Sequence, residues 1–188
     1  ARWFAEHGVT DGRGRMARLI ASGVQPPEMF LEAPRQVLPV TPEPFPGRVS
    51  QGALVGFEFG QMQAQTLASL AALGPLRATP WRMLLVEGAG VPDLPGLITK
   101  ADDPMLRVTA CTGAPGCLQA LRPTRAVARA LARHVPTSLH VSGCAKGCAH
   151  PAPAPLTLTA TASGFTLIRG GTAADAGQPV TEAELPAL

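Results

Sequence analysis

Cys111-Thr-Gly-Ala-Pro-Gly-Cys117 and Ser142-Gly-Cys-Ala-Lys-Gly-Cys148 contain every cysteine of the chain. The first two thiols, Cys111 and Cys117, enclose five residues; Cys144 and Cys148 enclose three. Met105-Leu-Arg-Val-Thr-Ala110 runs straight into the first pair and Ser138-Leu-His-Val141 into the second, and both read as strands. Two such strand ends would bring four thiolates to one edge of a sheet. Gly113, Gly116, Gly143 and Gly147 permit tight turns around a bulky inorganic core, and leave N–H groups free to point at sulfur. Four thiolates suit an iron–sulfur cluster or a structural zinc. The second pair has the spacing of a zinc knuckle, while the first is wider than usual. Two disulfides or inert buried thiols are the remaining readings. Clustering beside glycines speaks against inert thiols, and a core of this size does not need disulfides.

Outward from the cysteines, Leu118 to Val135 is predicted as an amphipathic helix. Pro123 stands in its first turn, and Leu121, Val127, Ala128 and Leu131 form its apolar face. Arg122, Arg125, Arg129 and Arg133 share one face, which reads as a solvated side. Leu156 to Thr161 and Phe165 to Ile168 read as a hairpin turning at Ser163-Gly164, and Thr181 to Leu185 as a brief helix. Upstream, Ala53 to Phe59 reads as a strand, Gln61 to Leu73 as a helix stopped by Gly74-Pro75, and Trp81 to Val86 as a second strand. Strand, helix and strand in so short a span suit half of a ferredoxin-like α+β unit, or one crossover of a doubly wound sheet. Met62 and Met83 are expected in the core, Pro92 to Thr99 as a helical turn, and His134 and His140 in structural roles. Residues 1–30 read as an interrupted helix, and the prolines from Pro26 to Pro46 as an extended linker. The expected organisation is a helical segment with linker over 1–49, a ferredoxin-like half-domain over 50–90, and a cluster-binding α+β domain over 91–188.

Composition narrows the functional classes. The 188 residues are 46% hydrophobic and 15% charged, which is too apolar for a disordered chain. Gly, Pro or a charge interrupts every apolar run short of the ~20 residues that span a bilayer, so no membrane partner is expected. A net charge of +3 gives no electrostatic case for nucleic acid. Twenty glycines and twenty prolines point to a loop-rich fold. With no export signal in view and cysteines read as reduced, the expected compartment is the cytoplasm.

Cys-x₅-Cys, a helix, a strand and then Ser-Gly-Cys-x₃-Cys together resemble the siroheme-type nitrite and sulfite reductase family. The wording Ala110-Cys-Thr-Gly-Ala-Pro-Gly-Cys117 and His140-Val-Ser-Gly-Cys-Ala-Lys-Gly-Cys-Ala-His-Pro151 is most similar to the branch serving aerobic cobalamin biosynthesis. The resemblance covers roughly residues 50–170 and implies a ferredoxin-like half-domain ahead of a cluster domain. It implies that Cys111, Cys117, Cys144 and Cys148 hold a [4Fe-4S] cluster, with siroheme or a mononuclear non-haem iron as a second iron site. Family members carry two copies of this unit; the chain resembles the C-terminal copy, with residues 1–30 as the tail of a missing N-terminal half. The implied chemistry is oxygen-dependent hydroxylation of a precorrin with lactone formation, the partners being the tetrapyrrole, dioxygen and an unidentified electron donor. A siroheme-dependent reductase, or a non-catalytic electron-transfer or metal-binding module, is the alternative. Arg107, Lys146 and His150 are candidate substrate-binding residues, Arg107 because it is expected to point towards the cluster edge.

Overall fold

The computed structural model describes residues 1–12, 14–30 and 42–187. Two compact units divide the chain, Ala1–Pro42 and Glu43–Leu188. The first holds two short helices, α1 (Arg2–Gly8) and α2 (Met16–Ala21), in place of one interrupted helix. Gly12 takes a left-handed φ of 71° between them. Pro34 and Pro39 of the expected linker lie outside the described residues.

The second unit contains two sheets, so the chain is α+β as expected. Its first part runs β1 (Gly47–Val49), β2 (Gly52–Phe57), α3 (Ala64–Ala71), β3 (Leu76–Ala78), β4 (Met83–Glu87) and β5 (Leu97–Ile98). Strand order is β1-β2-β4-β3, with β5 also on β2, and every pairing is antiparallel. β2 and β3 are therefore parallel strands joined through α3, with β4 inserted between them. That split β-α-β is the ferredoxin-like half-unit. Sequence reading found β2, α3 and β4 but not β3, whose three residues are too few for alternation to show. Pro92 to Thr99 is not a helical turn: β5 forms there, because its backbone completes the free end of β2 at Gly56↔Ile98. Leu70, Val55 and Val86 are fully buried in this half. Met83 is in the core, whereas Met62 is exposed ahead of α3.

The second part contains β6 (Val108–Ala110), α4 (Arg125–Leu131), β7 (Leu139–Ser142), β8 (Ala154–Ala160), β9 (Phe165–Gly171) and β10 (Gln178–Val180). The sheet order is β10-β9-β8-β7-β6. β6, β7 and β8 run parallel, and β9 and β10 return antiparallel. The expected hairpin is present, closing at Ala160↔Phe165. The expected brief helix near the end is a 3₁₀ segment, Glu182–Ala187. Val108, Ala110, Leu139, Val141, Leu156 and Leu158 project to one face and pack with Ala128, Leu131 and Val135 from α4 and its exit. Period-two alternation sends His140, Ser142, Thr157 and Thr159 to the other face, where all four are also buried.

The long helix predicted from Leu118 is only α4. Residues 118–124 form turns, and Leu118 and Leu121 are exposed, not part of an apolar face. The chain is pinned there by other bonds: the Leu121 N–H donates to Gly143 O at 2.8 Å, and Arg122 is held by the distant turn at Thr161. Among the described residues no helix is long and apolar enough to cross a membrane.

Phe165→Ala removes a ring that is 1% exposed and is expected to cost about 3–5 kcal/mol in urea unfolding. Leu118→Ala, at a fully exposed position, should change stability by less than about 0.5 kcal/mol. A large loss at Leu118 would restore the long helix.

Candidate functional site

The site is built by the in-register parallel pairing of β6 with β7, Val108↔Leu139 to Ala110↔Val141. One residue past that ladder, the Cys111 N–H still donates to Val141 O at 3.3 Å. Cys111 thus leaves the C-terminal end of β6 next to Ser142-Gly143-Cys144 leaving β7. The contact between them is direct: the Gly143 N–H points at Cys111 Sγ, 3.1 Å away. A donor aimed at sulfur stabilises a thiolate and fits a sulfur that carries negative charge. A Cβ at Gly143 would stand 2.6 Å from Ala120 Cβ, so only glycine brings this N–H so close.

The rest of the first loop is fastened around Thr124. Its hydroxyl donates to Cys111 O at 2.7 Å, and Gly113, with φ 70°, leaves no room for a Cβ against Thr124 Oγ1. The Cys117 N–H donates to Gly113 O at 2.8 Å, closing the turn. In the second loop Ser142 Oγ donates to Cys144 O at 2.7 Å, and the His150 N–H donates to Gly147 O at 3.1 Å. Thr124 and Ser142 were not singled out from sequence. A threonine at a helix start and a serine ahead of a glycine are the signals that mark them.

All four cysteines are free thiols; Cys111, Cys117 and Cys144 are partly buried and Cys148 is exposed. Soft sulfur donors without disulfides, on glycine loops with an N–H aimed at one sulfur, fit an iron–sulfur cluster in kind. Among the described residues, no three Cys, His, Asp or Glu side chains are gathered closely enough to hold a metal ion. The strand pairing brings Cys111 to the second loop, and the four sulfurs do not form a closed set.

Arg107 does not point towards the cysteines. It precedes β6 at the strand's other end, about 13 Å from Cys111 at the usual rise per residue. Its guanidinium donates to Ala132 O at 3.0 Å and Val135 O at 3.1 Å, satisfying carbonyls where α4 ends. Nor are Arg122, ahead of α4, and the arginines on it simply a solvated face. Arg122 donates to Thr161 O and Ala162 O and pairs with Glu182 at 2.6 Å, Arg129 pairs with Glu58 at 2.6 Å, and Arg125 bonds Gln61. Lys146 is exposed within the second cysteine loop, and His134 is exposed.

That loop folds over the sheet face opposite α4 and covers His140. The imidazole is 1% exposed, and the His150 ring stands edge-on to it with centroids 5.6 Å apart. Neither His140 ring nitrogen has a hydrogen-bond partner among the described residues. Burial, and secondarily the charge of His150, pushes the His140 pKa down to about 4. The unfolded chain, with an ordinary value of 6.5, therefore binds more protons between pH 6.5 and 4. Stability is greatest above that window and should fall by up to roughly 3 kcal/mol as pH drops through it. Urea unfolding at pH 7 and pH 4.5 should show the loss, and His140→Gln should flatten it.

No family model matches the chain. A precorrin-3B synthase from Sinorhizobium sp is 33% identical over 140 residues, covering 63% of this chain and 30% of that protein. The chain thus spans about a third of the length of the curated relative it matches. Among solved structures, the Mycobacterium tuberculosis NirA protein superposes with a TM-score of 0.47 at 19% identity, over 78% of this chain and 37% of that one. By sequence this chain is similar to a precorrin-3B synthase over part of its length.

Proposed function

We propose that the chain is the cluster-bearing part of an oxidoreductase of the precorrin-3B synthase type. The observation that carries this is the meeting of the two cysteine loops at the ends of β6 and β7, with the Gly143 N–H on Cys111 Sγ. The sequence similarity to a precorrin-3B synthase supports it independently.

In this reading Cys111, Cys117, Cys144 and Cys148 hold a [4Fe-4S] cluster, which supplies single electrons when bound. The Gly143 N–H offsets part of the charge that the four thiolates bring together. Lys146 places a cation in the loop between Cys144 and Cys148, where it screens that charge and can pair with a substrate carboxylate. His150 stands at the same loop, closed by its own backbone bond to Gly147. Overall, one atom of dioxygen enters the precorrin as hydroxyl and an acetate arm closes a lactone. The other oxygen atom leaves as water, using two protons and two electrons from an external donor. The oxygen-activating site lies outside the residues assigned here.

Anaerobic purification with iron, acid-labile sulfide and optical analysis tests the reading. Four irons and four sulfides with a broad absorption are expected, and Cys144→Ser should lose most of both. Sharp siroheme bands would transfer the chain to the nitrite and sulfite reductases. Zinc without sulfide would overturn the cluster and the synthase together.

A further inference from the structure

A cavity of about 600 Å³ lies beside β6, walled by the ends of β2, β4 and β5. We propose that it is a binding pocket for a flat, largely apolar ring bearing a carboxylate, with Arg82 as the carboxylate's partner and Trp81 and Phe59 as ring contacts. The proposal deepens the reading above, on which it rests for the identity of the natural ligand: a carboxylated macrocycle would enter by one edge.

Three observations carry it. First, the volume lies in the range of small-molecule sites, and Phe45, Phe59, Trp81, Met83 and Met105 give it aromatic and thioether walls. Phe45 stays 67% exposed at its rim, a large apolar surface left open to water. Arg82 and Glu43 are the charged groups of the lining, and among the described residues Arg82 makes no ion pair.

Second, strain collects at this cavity. Among the described residues of Glu43–Leu188, the non-glycine residues with positive φ are Phe59, at 55°, and Arg82, at 57°, and both line it. Arg82 occupies the turn between β3 and β4, where the Thr79 N–H donates to Met83 O and Thr79 Oγ1 donates to the same oxygen. Such a hairpin position favours glycine, and a side chain kept there against that preference points to a use for it. The Arg125 and Arg129 guanidinia stand 5.8 and 5.5 Å from the Phe59 ring centre.

Third, the cavity runs along β6, the strand that leads into the first cysteine loop. Thr109 lines it, and Cys111 lies two residues on along the same strand face, about 7 Å away at the usual rise. A ligand here would lie against the strand that ends at Cys111.

The test uses the full chain as a Trp3→Phe variant, which leaves Trp81 as the sole tryptophan. Uroporphyrin, an octacarboxylate macrocycle, is the probe, and quenching of Trp81 emission is the readout. Saturable quenching is expected, weakened at least tenfold by Arg82→Gly and unchanged by Arg169→Ala, an exposed arginine on β9. Because glycine relieves the backbone, Arg82→Gly should melt at the same or a higher temperature, so lost binding cannot be lost folding. Equal quenching with Arg82→Gly, or an equal loss with Arg169→Ala, would overturn the pocket. Absent quenching in a chain with full iron and sulfide would sink the pocket and spare the cluster. Arg82-dependent quenching in a chain unable to bind iron and sulfide would do the reverse.

Discussion

The register between β6 and β7 is the constraint on which the cysteine site depends. Val108 and Ala110 face α4 together with Leu139 and Val141, and a slip of one residue would turn Thr109 and His140 into that core. Burial of these apolar side chains therefore sets where each strand ends, and with it where Cys111 and Gly143 meet. The 3.1 Å N–H to sulfur contact follows from packing several residues away.

Helix α4 translates that register into a larger framework. Arg107 satisfies the carbonyls at its exit, and Arg122 fastens its approach to the β8–β9 turn. Arg125 and Arg129 reach Gln61 and Glu58, in the segment between β2 and α3. Two of the four regularly spaced arginines, Arg125 and Arg129, are thus ties between the ferredoxin-like half and the second sheet, while Arg122 ties α4's approach within the second part. A guanidinium is suited to this because its fork reaches several carbonyls or a carboxylate at once.

Much of this was legible from residues alone. Alternation and turn residues marked β2, β4, β8 and β9, and runs into cysteine marked β6 and β7. Periodicity extended α4 a full segment too far, because Leu118 and Leu121 have the spacing of a buried face but project into water. What fixes residues 118–124 is a set of long-range bonds to Gly143 and Thr161, invisible to any local pattern. β3 and β5 were missed for a related reason: segments of two or three residues become strands only when a partner edge is present.

The sequence by itself determined the α+β class and the pairing of four cysteines on glycine-rich loops, since each rests on local chemistry or short periodicity. That β2, α3 and β4 form a ferredoxin-like half and not a doubly wound crossover was decided by β3 and the antiparallel pairing. Only the tertiary structure decided that Gly143 serves Cys111, that Arg107 belongs to a helix end, and that Phe59, Arg82 and Thr109 share one cavity. Those relations join residues dozens of positions apart. They come from strand register and side-chain packing, which no single segment encodes.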